Sequence, residues 1–173
     1  SKLDKLVFST LLASLDGLSR RDREIARRVL GIEIDFHNVQ WLVRAKHFYR
    51  LGPEEALASL VPGGSPFDAA KTASVYPSGN LTELAETILG SGNRGLAALA
   101  GTGGDPSARL GFLERALRAV LRGESGRLLG GYPFTIGTLL AYFALKREEI
   151  RTLLAILNAK YYALPEERIR NSL

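Results

Sequence analysis

Residues 35–46 and 149–160 carry the same pattern, and this repetition restricts the available folds more than any other feature of the chain. The first stretch reads DFHNVQWLVRAK and the second EIRTLLAILNAK. Asp35 matches Glu149, Leu42 matches Ile156, Ala45 matches Ala159 and Lys46 matches Lys160. The apolar set Phe36, Val39, Val43 recurs as Ile150, Leu153, Leu157, which is one face of a helix in both copies. Aromatic residues follow each copy, His47-Phe48-Tyr49 and Tyr161-Tyr162, and then Pro53-Glu54-Glu55 is echoed by Pro165-Glu166-Glu167. A helix, a tight Pro turn and a second helix are thus written twice. Such units bury their apolar faces by packing on one another, which points to stacked, duplicated helix pairs and away from a sheet or a lone coiled coil.

The remaining segments read the same way. Leu3, Leu6, Val7, Leu11 and Leu15 fall at helical spacing over 3–15, and Gly17 breaks that helix. Ser19 is placed to cap a helix over 20–30, with Asp22 in its first turn. A helix over 33–50 follows, with Asp35 as its expected cap; Trp41 reads as an interface anchor or, the favoured reading beside Leu42, as part of the core. Leu51-Gly52-Pro53 starts the next helix. Val61-Pro62-Gly63-Gly64-Ser65-Pro66 is the strongest loop signal. Short helices are expected over 67–76 and, after the turn Ser78-Gly79-Asn80 with Asn80 as cap, over 81–90, ending at Gly90–Asn93. A second loop spans 101–107. Helices are then predicted over 108–122, 134–145 and 147–162, with a break at Gly123–Gly131 and a last short helix opened by Pro165. No alternating Val, Ile, Thr and aromatic run marks a strand. The expectation is a compact all-α bundle of short helices with a duplicated helix pair.

The chemistry of the chain excludes several function classes. Zero Cys rules out a disulfide framework, a thiol nucleophile and Cys-ligated metal. His37 and His47 lack metalloprotease spacing, and no Lys follows a Gly, so there is no P-loop. Gly101-Thr102-Gly103 opens like a dinucleotide fingerprint, but Pro106 stands where the third Gly belongs. Glu148-Glu149 and Glu166-Glu167 are adjacent pairs, which do not face one another on a helix and make no acid–base couple. No catalytic residue, cofactor, metal site or small-molecule substrate is expected. The longest apolar run, Leu139 to Leu145, is far short of the ~20 residues a bilayer span needs. There are 23 basic residues against 18 acidic, a net charge of +5, and 17 of the basic residues are Arg. That excess favours anionic partners. The cluster Arg20, Arg21, Arg23, Arg27 and Arg28 is the strongest local source. It reads either as a nucleic-acid-binding face or as a solvated helix side balanced by Asp22 and Glu24. The chain has no Met, and its first residues read as the middle of a helix, as expected of a processed or partial chain.

Tyr132-Pro133-Phe134, the helix Leu140-Ala141-Tyr142-Phe143, the run Lys146, Glu149, Ile150, Arg151, and Leu164-Pro165-Glu166-Glu167-Arg168-Ile169 together resemble the end of the C subunit of V/A-type ATPases, called d in eukaryotes. Ile34 through Lys46, with its Asp35-x-x-Asn38 pattern, and Leu60-Val61-Pro62-Gly63-Gly64 are similar to the same family. Thr152 departs from it, standing where the family often has Asn. The resemblance implies an all-α fold of three related lobes around a funnel, and here a short-helix bundle of pseudo-repeated lobes, residues 1–66 forming the first and 67–173 the second, packed as one compact unit. The chain is about half the usual length, so a lobe's worth of sequence is absent. It further implies a non-catalytic central-stalk subunit of a proton- or sodium-translocating rotary ATPase, cytoplasmic and peripheral at the membrane. Its partners would be the central axle subunit and the membrane rotor ring, with only indirect membrane contact and no nucleic acid. Arg44, Lys46 and Lys160, which end the echoed helices, are the candidate partner-binding residues.

Overall fold

A computed structural model describes residues 2–64, 68–78, 80–89 and 106–166. Among them are α-helices and 3-10 turns and no strand: α1 (Lys2–Ser14), a 3-10 turn (Leu15–Gly17), α2 (Arg20–His47), α3 (Pro53–Ala58), α4 (Ala69–Val75), a second 3-10 turn (Tyr76–Ser78), α5 (Leu81–Leu89), α6 (Pro106–Leu129) and α7 (Ile136–Tyr161). The all-α expectation holds. The turn residue Gly79, the stop at Gly90–Asn93, the loop over 101–105, Ser65-Pro66 and the chain after Glu166 lie outside the described residues.

Three expected helix breaks are absent. α2 runs unbroken through Gly31, α6 extends from Pro106 through Gly123 and Gly126 to Leu129, and α7 joins the two helices expected over 134–145 and 147–162. A glycine inside a helix costs about 1 kcal/mol relative to Ala, too little to stop a long packed helix. At Gly31 the chain's own fold supplies a neighbour, since a Cβ there would sit 3.9 Å from the Gly63 carbonyl. No contact explains Gly123 or Gly126. The caps read from sequence at Ser19 and Asn80 are formed: Ser19 Oγ accepts from Asp22 N at 3.2 Å and Asn80 Oδ1 from Glu83 N at 3.3 Å. Asp35 is not a cap. It lies inside α2 and is buried.

By compactness the chain divides into Ser1–Ala119 and Val120–Leu173. In the first unit α2 is the central element. Ile34, Phe36, Val39, Leu42, Val43 and Ala45 are all buried, and α5 packs along α2 with Leu84 and Ile88 buried. α1 turns Phe8 towards α2, where its ring lies 5.5 Å from that of His37, while Leu3, Leu6, Val7 and Leu11 remain exposed.

A polar lock fixes the loop after α3 to α2. Asn38, buried, donates from Nδ2 to the Val61 carbonyl at 2.9 Å and accepts from the Val61 N–H on Oδ1 at 2.8 Å. Next along the loop, Gly63 adopts φ +103°, and Gly64 passes so close to Asp35 that a Cβ would fall 2.0 Å from Oδ1. The Asp-x-x-Asn and Pro-Gly-Gly patterns are therefore two halves of one contact.

In the second unit, α7 buries Gly137, Ala141, Ala144 and Ala159. It ends with Ala163 in the left-handed region at φ 51°, the Leu164 N–H returning to the Ala159 carbonyl at 2.9 Å. This is the hydrogen-bond pattern that usually recruits Gly to that position. α2 ends in a related way: Arg50 is left-handed at φ 54°, and the N–H of Leu51 reaches Ala45, the residue matching Ala159, at 2.9 Å.

Candidate functional site

A cleft of about 180 Å³ opens at the C-terminal end of α2, lined by Asp4, His37, Gln40, Trp41, Arg44 and Tyr49. His37, Gln40, Trp41 and Arg44 recur at intervals of three and four residues, so one helix face presents them together. Trp41 is held in place because its Nε1–H donates to the Ala56 carbonyl of α3 at 2.9 Å. Tyr49, just past the helix end, leans on Trp41 with ring centroids 6.0 Å apart and planes tilted by 33°. Arg44 is exposed and forms no ion pair among the described residues. The result is a guanidinium and the Asp4 carboxylate in one cleft with two aromatic faces and an amide, the guanidinium being the group able to take a partner's carboxylate.

Among the described residues the cleft is lined by no Ser, Thr, Cys or Lys. His37 Nε2 stands 3.9 Å from Asp4 Oδ2, beyond hydrogen-bond length. Burial pushes the His37 pKa below its ordinary value of 6.5, with Arg44 adding to the depression and Asp4 opposing it. The unfolded chain thus binds this proton more tightly than the folded one. The stability contributed by the neutral ring is complete above 6.5 and is lost as pH falls from there through the lower folded value. Substituting His37→Gln should flatten the fall in Tm between about pH 7.5 and about pH 5.5. An equally steep fall in the variant would contradict this assignment.

Lys46 and Lys160 are placed differently from Arg44. Lys46 is engaged within its unit: Nζ donates to the Pro77 carbonyl at 2.9 Å and lies 5.6 Å from the centre of the Tyr76 ring. Lys160 is exposed in the last turn of α7. Residues of the arginine cluster serve the fold. Arg23 donates to the carbonyls of Leu15, Asp16 and Leu18, closing the turn before α2. Arg20 pairs with Glu24 at 3.2 Å and Arg27 with Asp16 at 3.8 Å. Among the described residues no group of three His, Cys, Asp or Glu could hold a metal ion, and no helix is long and apolar enough to cross a membrane.

The lock and the cleft lie in a stretch that a protein-family comparison matches as part of a whole. The family described as ATP synthase (C/AC39) subunit matches residues 1–172. The chain belongs to this family. It is 25% identical over its full length to the C subunit of the A-type ATP synthase of Methanosarcina mazei, covering 46% of that protein. It is 28% identical, over 98% of its length, to the corresponding A-type ATP synthase C subunit of Thermococcus onnurineus, covering 44% of it. The chain therefore spans less than half the length of the curated relatives it matches. No solved structure gave a significant match.

For this C/AC39 chain the Asp35–Asn38 and Pro62–Gly64 patterns are accounted for by the lock. Sequence reasoning finds Arg44 from its place at the end of an echoed helix. It misses Tyr49 and favours core over interface anchor for Trp41, whereas the structure sets Trp41 in the cleft wall; its i, i+3 relation to Arg44 is the available signal.

Proposed function

We propose that the chain acts as a non-catalytic, torque-transmitting coupling in the central stalk of a V/A-type rotary ATPase, between the axle subunit and the membrane rotor ring. The family match over residues 1–172 carries this reading, together with relatives named as C subunits of A-type ATP synthases. A coupling needs stiffness and complementary surfaces in place of a nucleophile. The Asn38 lock supports the first requirement, and the exposed Arg44 guanidinium in its aromatic cleft supports the second. In this reading the protein works peripherally at the cytoplasmic side of the membrane, and Arg44 and Lys160 meet acidic groups of the axle or the ring. Lys46 is a weaker contact, being already committed to Pro77.

A pull-down with purified axle and ring subunits tests the proposal. The folded chain is expected to capture at least one, and Arg44→Glu to weaken that capture about tenfold or more through charge reversal at the contact. A helical, monodisperse sample that captures neither would remove the reading.

A further inference from the structure

The cleft at the end of α2 holds its charges in balance. Among the described residues its lining carries one permanent cation, Arg44, and one carboxylate, Asp4, so with His37 neutral its formal charge is zero. A proton on His37 makes it +1. Two helices meet here: Asp4 comes from α1, and His37 and Arg44 come from α2. His37 Nε2 faces Asp4 Oδ2 at 3.9 Å, and its ring lies against Phe8 of α1. Arg44 and the amino group at the head of the chain disfavour a charged ring, while Asp4 favours it. Lys5, next to Asp4, is directed at the Ala58 carbonyl, and Glu33 stands one turn before His37 on α2.

The internal repeat separates this set from helix packing. In the second copy the positions of His37, Gln40, Trp41 and Arg44 are taken by Arg151, Leu154, Ala155 and Asn158. The apolar register of Phe36, Val39 and Val43 is repeated there, but the cleft set is not. The duplicated helix forms without it, so what these four residues contribute belongs to the first copy alone.

A carboxylate seated on Arg44 would upset the balance. It offsets the Arg44 charge, which already reaches the His37 ring. It also brings a negative charge between Trp41 and Tyr49, where charges are screened less than in open water. Both effects favour the imidazolium. Linkage is reciprocal: the factor by which the carboxylate raises the ring's proton affinity is the factor by which the proton raises the carboxylate's affinity.

We propose that the Arg44 cleft is a proton-linked carboxylate site, with His37 as its switchable second cation, so that it holds a carboxylate more tightly as pH falls. This rests on the reading of Arg44 as the receptor for a partner's acidic group, and adds what regulates it.

Trp41 is the chain's single Trp and stands in the cleft wall, so its fluorescence reports what enters. Benzoate is the probe, a carboxylate on one aromatic ring that is ionised at both about pH 7.5 and about pH 5.5. At constant ionic strength it is expected to bind about threefold or more tightly at the lower pH. The chain's two histidines are followed by NMR, and saturating benzoate should raise the titration midpoint of His37 and leave His47 unaffected. His37→Gln should bind benzoate equally at both pH values, and Arg44→Gln about tenfold more weakly at both. Equal affinity at the two pH values in the parent would overturn the proton link. Binding that is absent at both, or that Arg44→Gln leaves unchanged, would overturn the carboxylate site itself. Neither result bears on capture of the axle or ring subunits, which the pull-down decides separately.

Discussion

Replacing Asn38 by Ala is expected to destabilise the first unit by about 3 kcal/mol, the combined cost of orphaning a buried N–H and a buried carbonyl. The Asn38 amide satisfies both Val61 backbone atoms at once, donating at 2.9 Å and accepting at 2.8 Å. Val61 is itself 1% exposed, so water cannot take over either bond. Asn38→Asp separates the two halves of the lock: it keeps an acceptor for the N–H but sets a carboxylate against the carbonyl, and it buries a charge. It should be at least as damaging at neutral pH and partly recover in acid, where the protonated group donates again. Denaturant midpoints at about pH 7 and about pH 4 for both variants decide this. An unfolding free energy for Asn38→Ala within about 0.5 kcal/mol of the parent would mean that the lock contributes nothing net.

The helices were legible because periodicity is local. Ser19 and Asn80 could be read as caps for the same reason, since their partners lie three residues away. What could not be read depends on residues far along the chain. Asp35 looks like a cap because it is polar and precedes an apolar run. Its actual setting is decided by Gly64, 29 positions on, which lies against its carboxylate. Gly31 lies in the gap between the helices expected over 20–30 and 33–50, but α2 continues through it and the Gly63 carbonyl passes nearby. Glycine in this chain thus serves close approach as well as termination, and composition alone does not distinguish the two.

The candidate site was half legible for a parallel reason. Arg44 and Lys46 are equivalent by sequence: both are cations in the last turn of α2. Two residues apart on a helix, they point to different sides. One meets the Pro77 carbonyl and the Tyr76 ring, while the other is left beside Trp41 and Tyr49. The repeat was legible as a pattern, but the opposite fates of its two apolar faces were not. Phe36 and Ile150 match in sequence, yet the first is 1% exposed and the second 49%.

Gly64→Ala should be strongly destabilising, costing on the order of 2–4 kcal/mol. The added Cβ would sit 2.0 Å from Asp35 Oδ1, 3.0 Å from its Cγ and 3.2 Å from Ile34 Cγ2. Asp35 and Ile34 are both buried on α2, so neither can swing aside without opening the packing around it. Gly63→Ala fails differently. Its φ of +103° is one that L side chains rarely adopt, and the Cβ would lie 2.4 Å from Leu12 Cδ1, the end of a side chain that can rotate. Part of that clash can relax while the backbone strain stays, so its cost should be smaller, about 1–3 kcal/mol. Gly17→Ala is the control: nothing lies within 4 Å of its would-be Cβ, and its stability should change by less than about 0.5 kcal/mol. Combining Gly64→Ala with Asp35→Ala separates steric from polar causes. If the clash dominates, removing the carboxylate recovers much of the loss in the double-mutant cycle. If the two costs add, the Asp35 carboxylate is not what the second glycine makes room for, and the pairing of the two sequence patterns into one contact is wrong.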